Sequence, residues 1–145
     1  MRLVLQRVEM AAVEADGGVV GEIGRGLLVL AGVARGDDAS TAAAAATRLA
    51  ELRIFADAEG RTNLSLADTG FAVLVVSQFT LLADTQRGRR PSFGGAAPAE
   101  LAQPLVETLV EKLGEAGIPT ASGRFGADMK IRCRLDGPFT ITLEF

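Results

Sequence analysis

Apolar residues alternate with polar or charged residues in two runs near the end of the chain. In residues 130–135 the apolar positions alternate with bases, and in residues 139–145 they alternate mainly with polar side chains. A period of two is typical of a strand with one buried face. Only residues 136–138 separate the two runs, so the pattern predicts a tight hairpin with Gly137-Pro138 at its tip.

Apolar runs elsewhere predict the other strands. Residues 2–15 and 19–23 flank an Asp-Gly-Gly sequence, which predicts an N-terminal hairpin. The apolar runs 27–33 and 71–76 favour strands that are buried on both faces. Short extended pieces are expected at 54–55 and 63–66, on either side of an Ala-Glu-Gly turn.

Two segments have helical signals. Asp37, Asp38 and Ser40 can cap a helix that continues through residues 41–52. A second helix begins near Pro98 and has leucine at every fourth position up to Leu113. The expected fold class is therefore α/β: a single compact domain over residues 1–145, with a largely antiparallel sheet or partly closed β-barrel and two main helices.

The residue types that are absent restrict the chemistry. The 145 residues include no histidine, tryptophan or tyrosine and only one cysteine, Cys133. Histidine-dependent triads and histidine metal sites are excluded, as are internal disulfides and thiolate clusters. Because Cys133 lies on the apolar side of its run, we expect it to pack in the core. Neither a metal nor a cofactor is expected.

The basic residues are concentrated in two stretches of an otherwise acidic chain of net charge −3. Residues 85–99 contain Arg87, Arg89 and Arg90 and no acidic residue. Residues 124–134 contain four basic residues and one aspartate. Both stretches are open to two interpretations, a solvated surface or a phosphate-contacting surface. No apolar run approaches the roughly 20 residues that a membrane span needs, so a cytoplasmic location is expected.

Two short segments are candidate sites. Ser77-Gln78-Phe79-Thr80 follows the buried run 71–76, where a rigid strand can position hydroxyl and amide groups. The alternative is a strand edge whose hydroxyls bond the local backbone. Gly137-Pro138 contains an X-Pro bond that a tight loop can hold in cis, and the alternative there is a plain turn.

The motifs of this chain together resemble the D-aminoacyl-tRNA deacylase family over essentially the whole length. The matching segments are 5–8, 21–24, 26–30, 53–55, 57–60, 77–81, 90–93, 123–125, 127–129 and 136–138, followed by Thr140. The resemblance implies a homodimer that hydrolyses the ester between a D-amino acid and the 3′ end of tRNA. It also implies an active site at the dimer interface. Two positions depart from the family pattern, because Leu135 replaces the usual Asn and Phe139 replaces a smaller Val.

The resemblance also implies roles for individual residues. Ser77, Gln78, Phe79 and Thr80 would form one wall of the site, with Phe79 stacking on the terminal adenosine. The Gly137-Pro138 tip, in cis, would enter from the other subunit and collide with L-side chains, while its carbonyls bind the ammonium group. Glycyl groups, including those mischarged onto alanine tRNA, would be accepted. The acceptor stem would contact the loop residues Arg87, Arg89, Arg90 and Phe93.

The reaction expected at such a site uses the backbone and the substrate, because no side chain here has an unperturbed pKa near 7. Backbone N–H groups near 78–80 would polarise the ester carbonyl, and the ribose 2′-hydroxyl would position the water. Two other function classes stay open. One is a non-catalytic protein that binds the tRNA acceptor end, and the other is a homo-oligomeric metabolite-binding protein.

Overall fold

The computed structural model describes residues 1–86 and 88–145, which form a mixed sheet with helices packed against it. The strands are β1 (Arg2–Ala15), β2 (Gly18–Ile23), β3 (Gly26–Gly32), β4 (Phe55–Ala56), β5 (Thr62–Leu64), β6 (Ala72–Ser77), β7 (Thr120–Ser122) and β8 (Lys130–Glu144). The helices are α1 (Ala39–Glu51), α2 (Leu66–Thr69) and α3 (Ala99–Glu115), and a 3₁₀ turn spans Phe79–Leu82. The predicted α/β class is confirmed.

The long strand β1 organises the sheet. On one side it pairs antiparallel with β3 along residues 2–8 and with β2 along residues 11–15, and on the other side with β8. Strands β6 and β7 extend the sheet beyond β3 in parallel. The sheet nearly closes, since a Cβ placed on Gly21 of β2 would lie 2.5 Å from the carbonyl oxygen of Ser122 in β7. The sheet is therefore antiparallel around β1 and parallel around β6.

The predicted N-terminal hairpin is confirmed. Its turn places Asp16 at a φ of 52° and Gly17 at a φ of 83°. Two successive positive φ angles suit the right-handed twist of the paired strands, and Asp-Gly is a sequence that tolerates them.

The predicted C-terminal hairpin is wrong. Residues 130–144 form one continuous strand, because both halves pair with β1 and not with each other. Val8 pairs with Leu135 and Gln6 pairs with Thr140, so residues 136–139 lie opposite Arg7 alone as a bulge. The period-two pattern is correct in both halves, but β1 is long enough to supply a partner for each of them.

The helices largely follow their sequence signals. Asp38 caps α1 by accepting a hydrogen bond of 2.9 Å from the backbone N–H of Thr41. In α3 a spacing of four residues rotates the side chain by about 40° per step, so Leu101 is 56% exposed while Leu109 and Leu113 are buried. The four-residue helix α2 differs from the sequence pattern, which predicts an extended piece that includes its residue Leu66.

The core lies on both faces of the central strands, as predicted for 27–33 and 71–76. On β6, Val73 and Val75 pack in the cluster that includes α1 and α3, whereas Leu74 and Val76 pack in a second cluster against β1 and β2. The prediction for Cys133 is wrong, because this residue is exposed. It lies on β8, which has β1 on one side and no strand on the other among the described residues. No helix in the described part of the chain is long and apolar enough to cross a membrane.

Candidate active site

The Ser77–Thr80 segment begins where β6 ends, and main-chain contacts fix its position. Ser77 is the last β6 residue paired with β3, and the N–H of Gln78 donates 2.8 Å to the carbonyl of Ala31. The chain then enters the 3₁₀ turn, which packs on Gly32. A Cβ at Gly32 would lie 3.0 Å from the Gln78 carbonyl oxygen, so the close approach favours a glycine.

The four residues differ in exposure. Ser77 and Gln78 are half-buried, whereas Phe79 and Thr80 are exposed. The side-chain amide of Gln78 donates to the Thr80 hydroxyl at 2.5 Å. The first N–H groups of a helical turn have no acceptor within the turn. Those of Phe79 and Thr80 are therefore suited to an acceptor from outside it.

A pocket of about 470 Å³ lies beside this segment. Ser77, Gln78 and Phe79 line one side of it, and small or apolar residues of α3 line another. The remaining side is the stretch that leads into β8, contributing residues 125–129 and Ile131. The pocket thus has polar groups at the strand end and mostly apolar walls elsewhere, a composition suited to a partly apolar ligand with a polar group.

The loop after the 3₁₀ turn returns to the site. Asp84 and Ser92 exchange two backbone hydrogen bonds of 2.7 and 2.8 Å, which close the loop. The next residue, Phe93, contacts Phe79 edge to face, with the ring centroids 5.1 Å apart. Arg89 and Arg90 are exposed in the loop, and Arg87 lies outside the described residues.

The second basic stretch is largely paired with carboxylates. Arg132 lies 2.7 Å from Glu14, Arg134 lies 2.7 Å from Glu9, and Arg124 pairs with Asp16. These contacts neutralise much of the charge that the sequence places there. Between the two interpretations, the pairing favours an ordinary solvated surface for this stretch.

The Gly137-Pro138 bond is cis and lies in the β8 bulge, where both residues are exposed. Arg7 supports the bulge from the neighbouring strand. Its guanidinium centre lies 4.6 Å from the ring centroid of Phe139, and its Nη1 donates 2.8 Å to the carbonyl of Ile54.

Arg7 also forms an ion pair within the bulge. Its Nε lies 3.0 Å from a carboxylate oxygen of Asp136 but is not aligned for a hydrogen bond, so the contact is mainly ionic. Arg25 is a more distant second partner, 3.9 Å from the same oxygen. Only 15% of the Arg7 side chain is exposed. Sequence analysis gave this residue no role of its own, although it lies in the matching segment 5–8.

One chain does not bring the two candidate segments together. Gly137 and Pro138 do not line the pocket beside Ser77–Phe79. Arg7 is in register with Leu27, and Leu27 with Val73, so the bulge lies three strand spacings from β6, about 14 Å. Ser77 lies four residues further along β6, about another 13 Å.

The sequence matches the family model described as D-Tyr-tRNA(Tyr) deacylase over residues 4–144. The chain belongs to the D-Tyr-tRNA(Tyr) deacylase family. The family expected from the motifs is confirmed, and with it the expectation of an ester-hydrolysing enzyme. The roles of individual residues stay predictions.

Relatives in the D-Tyr-tRNA(Tyr) deacylase family match along nearly their whole length. A D-aminoacyl-tRNA deacylase of Roseiflexus castenholzii is 56% identical over 144 residues, covering 99% of this chain and 92% of the relative. One of Cereibacter sphaeroides is 52% identical over 144 residues, covering 99% of each chain.

Two solved structures share the fold. One, described as the c-Myc DNA Unwinding Element Binding Protein, has a TM-score of 0.92 and 34% identity and covers 100% of this chain and 99% of its own. The other, a probable eukaryotic D-amino acid tRNA deacylase, has a TM-score of 0.84 and 20% identity, covering 98% of this chain and 97% of its own.

Proposed function

We propose that the protein hydrolyses the ester bond of D-aminoacyl-tRNA and releases the free D-amino acid and tRNA. The observation that carries the proposal is the family match over residues 4–144. The names of the relatives at 52–56% identity support it. The motif residues Ser77, Gln78 and Phe79 line the pocket beside the strand end, which is consistent with a role in binding the substrate.

The active unit in this proposal is a homodimer, in which the Gly137-Pro138 bulge of one subunit completes the pocket of the other. Two observations support it. The bulge is exposed and lies far from the pocket of its own chain. In addition, Ile131 and Leu135 on β8 are 36% and 43% exposed, which leaves an apolar strip at this edge of the sheet. Ile131 also lines the pocket, so a partner docked on this strip would lie beside it.

In this scheme the site selects for chirality because it contacts the ammonium group of the amino acid and not its side chain. Carbonyl groups of the bulge would bind the ammonium group and leave the D-side chain in solvent. An L-side chain would collide with the bulge, and steric rejection can exceed the 1–3 kcal/mol that one methylene contact gives in a pocket. Glycine has no side chain to collide, so glycyl-tRNA, including glycine mischarged onto alanine tRNA, is a substrate in this scheme.

Bond breaking in this scheme needs no basic side chain. The backbone N–H groups of Phe79 and Thr80 would donate to the ester carbonyl oxygen and stabilise the negative charge that develops on it. A water oriented by the ribose 2′-hydroxyl attacks the carbonyl carbon, the bond to the 3′-oxygen breaks, and the proton that the water loses passes to that oxygen. In this scheme the Thr80 hydroxyl accepts a hydrogen bond from Gln78 and does not act as the nucleophile.

The tRNA would contact two parts of the protein. The exposed ring of Phe79 at the edge of the pocket is suited to stacking on the terminal adenosine. Arg89 and Arg90 of the acid-free loop are exposed and would contact phosphates of the acceptor stem.

Purified protein tested on D-tyrosyl-, L-tyrosyl- and glycyl-tRNA distinguishes the proposal from a non-catalytic tRNA-end binder. We expect hydrolysis of the D-tyrosyl and glycyl esters and none of the L-tyrosyl ester. Binding without hydrolysis would instead support the binder.

A 3′-linked substrate with hydrogen in place of the 2′-hydroxyl should be inert, and full turnover of it would refute the role of that hydroxyl. Loss of turnover in Thr80→Ala with intact binding would assign Thr80 a direct chemical role.

Mixed dimers test the shared site. Phe79→Ala removes a pocket residue, and Pro138→Ala alters the bulge, so each homodimer should lose activity. When the two variants are co-expressed, the mixed dimer has one site with both elements intact. We therefore expect activity to return in the isolated mixed dimer. Failure to recover any activity would show that both elements must come from the same chain.

A further inference from the structure

Phe93 contacts the ring that the proposed function places against the substrate. The rings of Phe79 and Phe93 meet edge to face at an interplanar angle of 71°. Phe79 lines the pocket and is 57% exposed, whereas Phe93 does not line it and is 39% exposed. We infer that Phe93 is a positioning residue that holds the Phe79 ring for stacking on the terminal adenosine and acts on the substrate only through Phe79. The inference rests on the proposed function of Phe79.

The backbone around Phe93 is anchored on both sides. On one side, Ser92 exchanges its two hydrogen bonds with Asp84. On the other side, Arg35 binds the next two carbonyls, donating from its Nε to Gly94 at 2.7 Å and from its backbone N–H to Gly95 at 3.2 Å. The backbone that carries the Phe93 ring is therefore held in place on both sides.

Phe79 needs such a support because the residue is more than half exposed. An exposed side chain changes rotamer on the picosecond-to-nanosecond timescale, and ordering it on binding weakens the affinity. Edge-to-face packing restricts the ring before the ligand arrives. The energy of an aromatic pair corresponds to about 3- to 10-fold in affinity. The same loop contains Arg89 and Arg90, so contacts of the loop with the acceptor stem would be transmitted to the ring.

The test measures binding of a probe that lacks the tRNA stem. The probe is adenosine carrying a D-tyrosyl group on a 3′-amide, which cannot be hydrolysed. We expect Phe93→Leu to raise its Kd by about 3- to 10-fold and Phe93→Tyr to restore the affinity. The matched control is Arg89→Ala, in the same loop. It should leave the Kd of the probe unchanged, because the probe has no stem, and should weaken the binding of full-length D-tyrosyl-tRNA.

A double-mutant cycle shows whether Phe93 acts through Phe79. In a Phe79→Leu background, the further change Phe93→Leu should alter the Kd by less than about 2-fold. Additive effects would overturn the inference, as would an unchanged Kd in Phe93→Leu with reduced activity on full-length tRNA. The latter would indicate a direct contact with the stem.

Equal urea midpoints for the wild-type protein and Phe93→Leu confirm that folding is intact. Should Phe93→Leu unfold, Phe93→Met in the same cycle replaces it. Failure of the wild-type protein to hydrolyse D-tyrosyl-tRNA refutes the proposed function, while the Kd values still test the positioning role. If the wild-type protein hydrolyses D-tyrosyl-tRNA but does not bind the probe, the positioning inference is refuted and the proposed function is not.

Discussion

The two candidate segments are held in place by different forces. The Ser77–Thr80 segment is positioned by strand pairing, a backbone hydrogen bond to Ala31 and close packing on Gly32. The Gly137-Pro138 bulge is supported by side chains, through the contacts of Arg7 with Asp136 and Phe139. The first segment should therefore be sensitive to steric changes in the sheet, and the second to changes of charge and side-chain shape.

The departure of this chain at position 139 has a structural explanation within that comparison. A phenylalanine there provides a ring for the Arg7 guanidinium, a contact that a valine could not make. Leu135 replaces a polar residue immediately before the bulge and is 43% exposed. Nothing in the described part of the structure explains this replacement.

The largest effect is expected from Gly32→Ala, which challenges the segment held by the main chain. Its Cβ would contact Leu82 and approach the Cβ of Leu81 to 3.1 Å, so the 3₁₀ turn must move. We expect kcat/KM to fall by about 100-fold and the free energy of unfolding by about 1–3 kcal/mol. Gly36→Ala is the matched control, since nothing lies within 4 Å of a Cβ at that position. An unchanged kcat/KM in Gly32→Ala would contradict the assigned role of the turn.

Arg7→Gln is the corresponding change for the segment held by side chains. It removes the ion pair with Asp136, the hydrogen bond to Ile54 and the stacking on Phe139. We expect urea unfolding to show a loss of about 1–3 kcal/mol and the preference for D- over L-substrates to decrease. Arg7→Lys should not rescue either property, because an ammonium group cannot make all three contacts. Arg25→Gln is the control. If Arg25→Gln lowered the free energy of unfolding as much as Arg7→Gln, the special role of Arg7 would be contradicted.

A smaller effect, on binding alone, is expected from Arg89 and Arg90, whose side chains are exposed. Arg89→Ala or Arg90→Ala should each lower the slope of log K against log salt by about 0.7–0.9 if one phosphate contact is lost. Filter binding of tRNA over a range of salt concentrations measures this slope. Arg132→Ala should leave the slope unchanged, because Arg132 is paired with Glu14. Equal slopes for all variants would exclude a phosphate-binding role of the loop.

The smallest effect is expected outside both segments, at the cap of α1. Hydrogen bonds from Ser40 and Thr41 lower the pKa of Asp38 from 3.8 to about 2. Because the folded-state pKa is the lower one, this stabilisation is present above about pH 4 and is lost as the pH falls towards 2. The difference in stability between the wild-type protein and Asp38→Ala should therefore shrink over that range, as urea titrations at stepped pH can measure. A difference that does not change would contradict the lowered pKa.

Local patterns predicted most of the elements but not how distant ones pair. The Asp-Gly turn, the Asp38 cap and the buried runs are read from neighbouring residues, and each is confirmed. The hairpin around Gly137-Pro138 failed because the competing partner, β1, lies more than 120 residues away in the sequence. The same long-range pairing places Arg7 against the bulge, which is why its role could not be predicted from spacing.

The candidate site was predictable only as separate pieces. The motif identified Ser77–Thr80, and the strand end explains its rigidity. The contact between Phe79 and Phe93 depends on how a loop of many residues folds back, which no local pattern determines. Cys133 was misassigned for a related reason, since alternation identifies the apolar face of a strand but not whether the same chain covers it.

The anchoring of the bulge at both ends limits how the sequence can change in length. A loop at the end of a hairpin tolerates an added residue, because only its own conformation changes. Here Leu135 and Thr140 are both fixed in register on β1. One inserted residue that shifted the following strand would turn Ile141 and Leu143 from the core towards solvent. The four positions from Asp136 to Phe139 therefore behave as a spacer of fixed length, in which replacements are tolerated more readily than insertions or deletions.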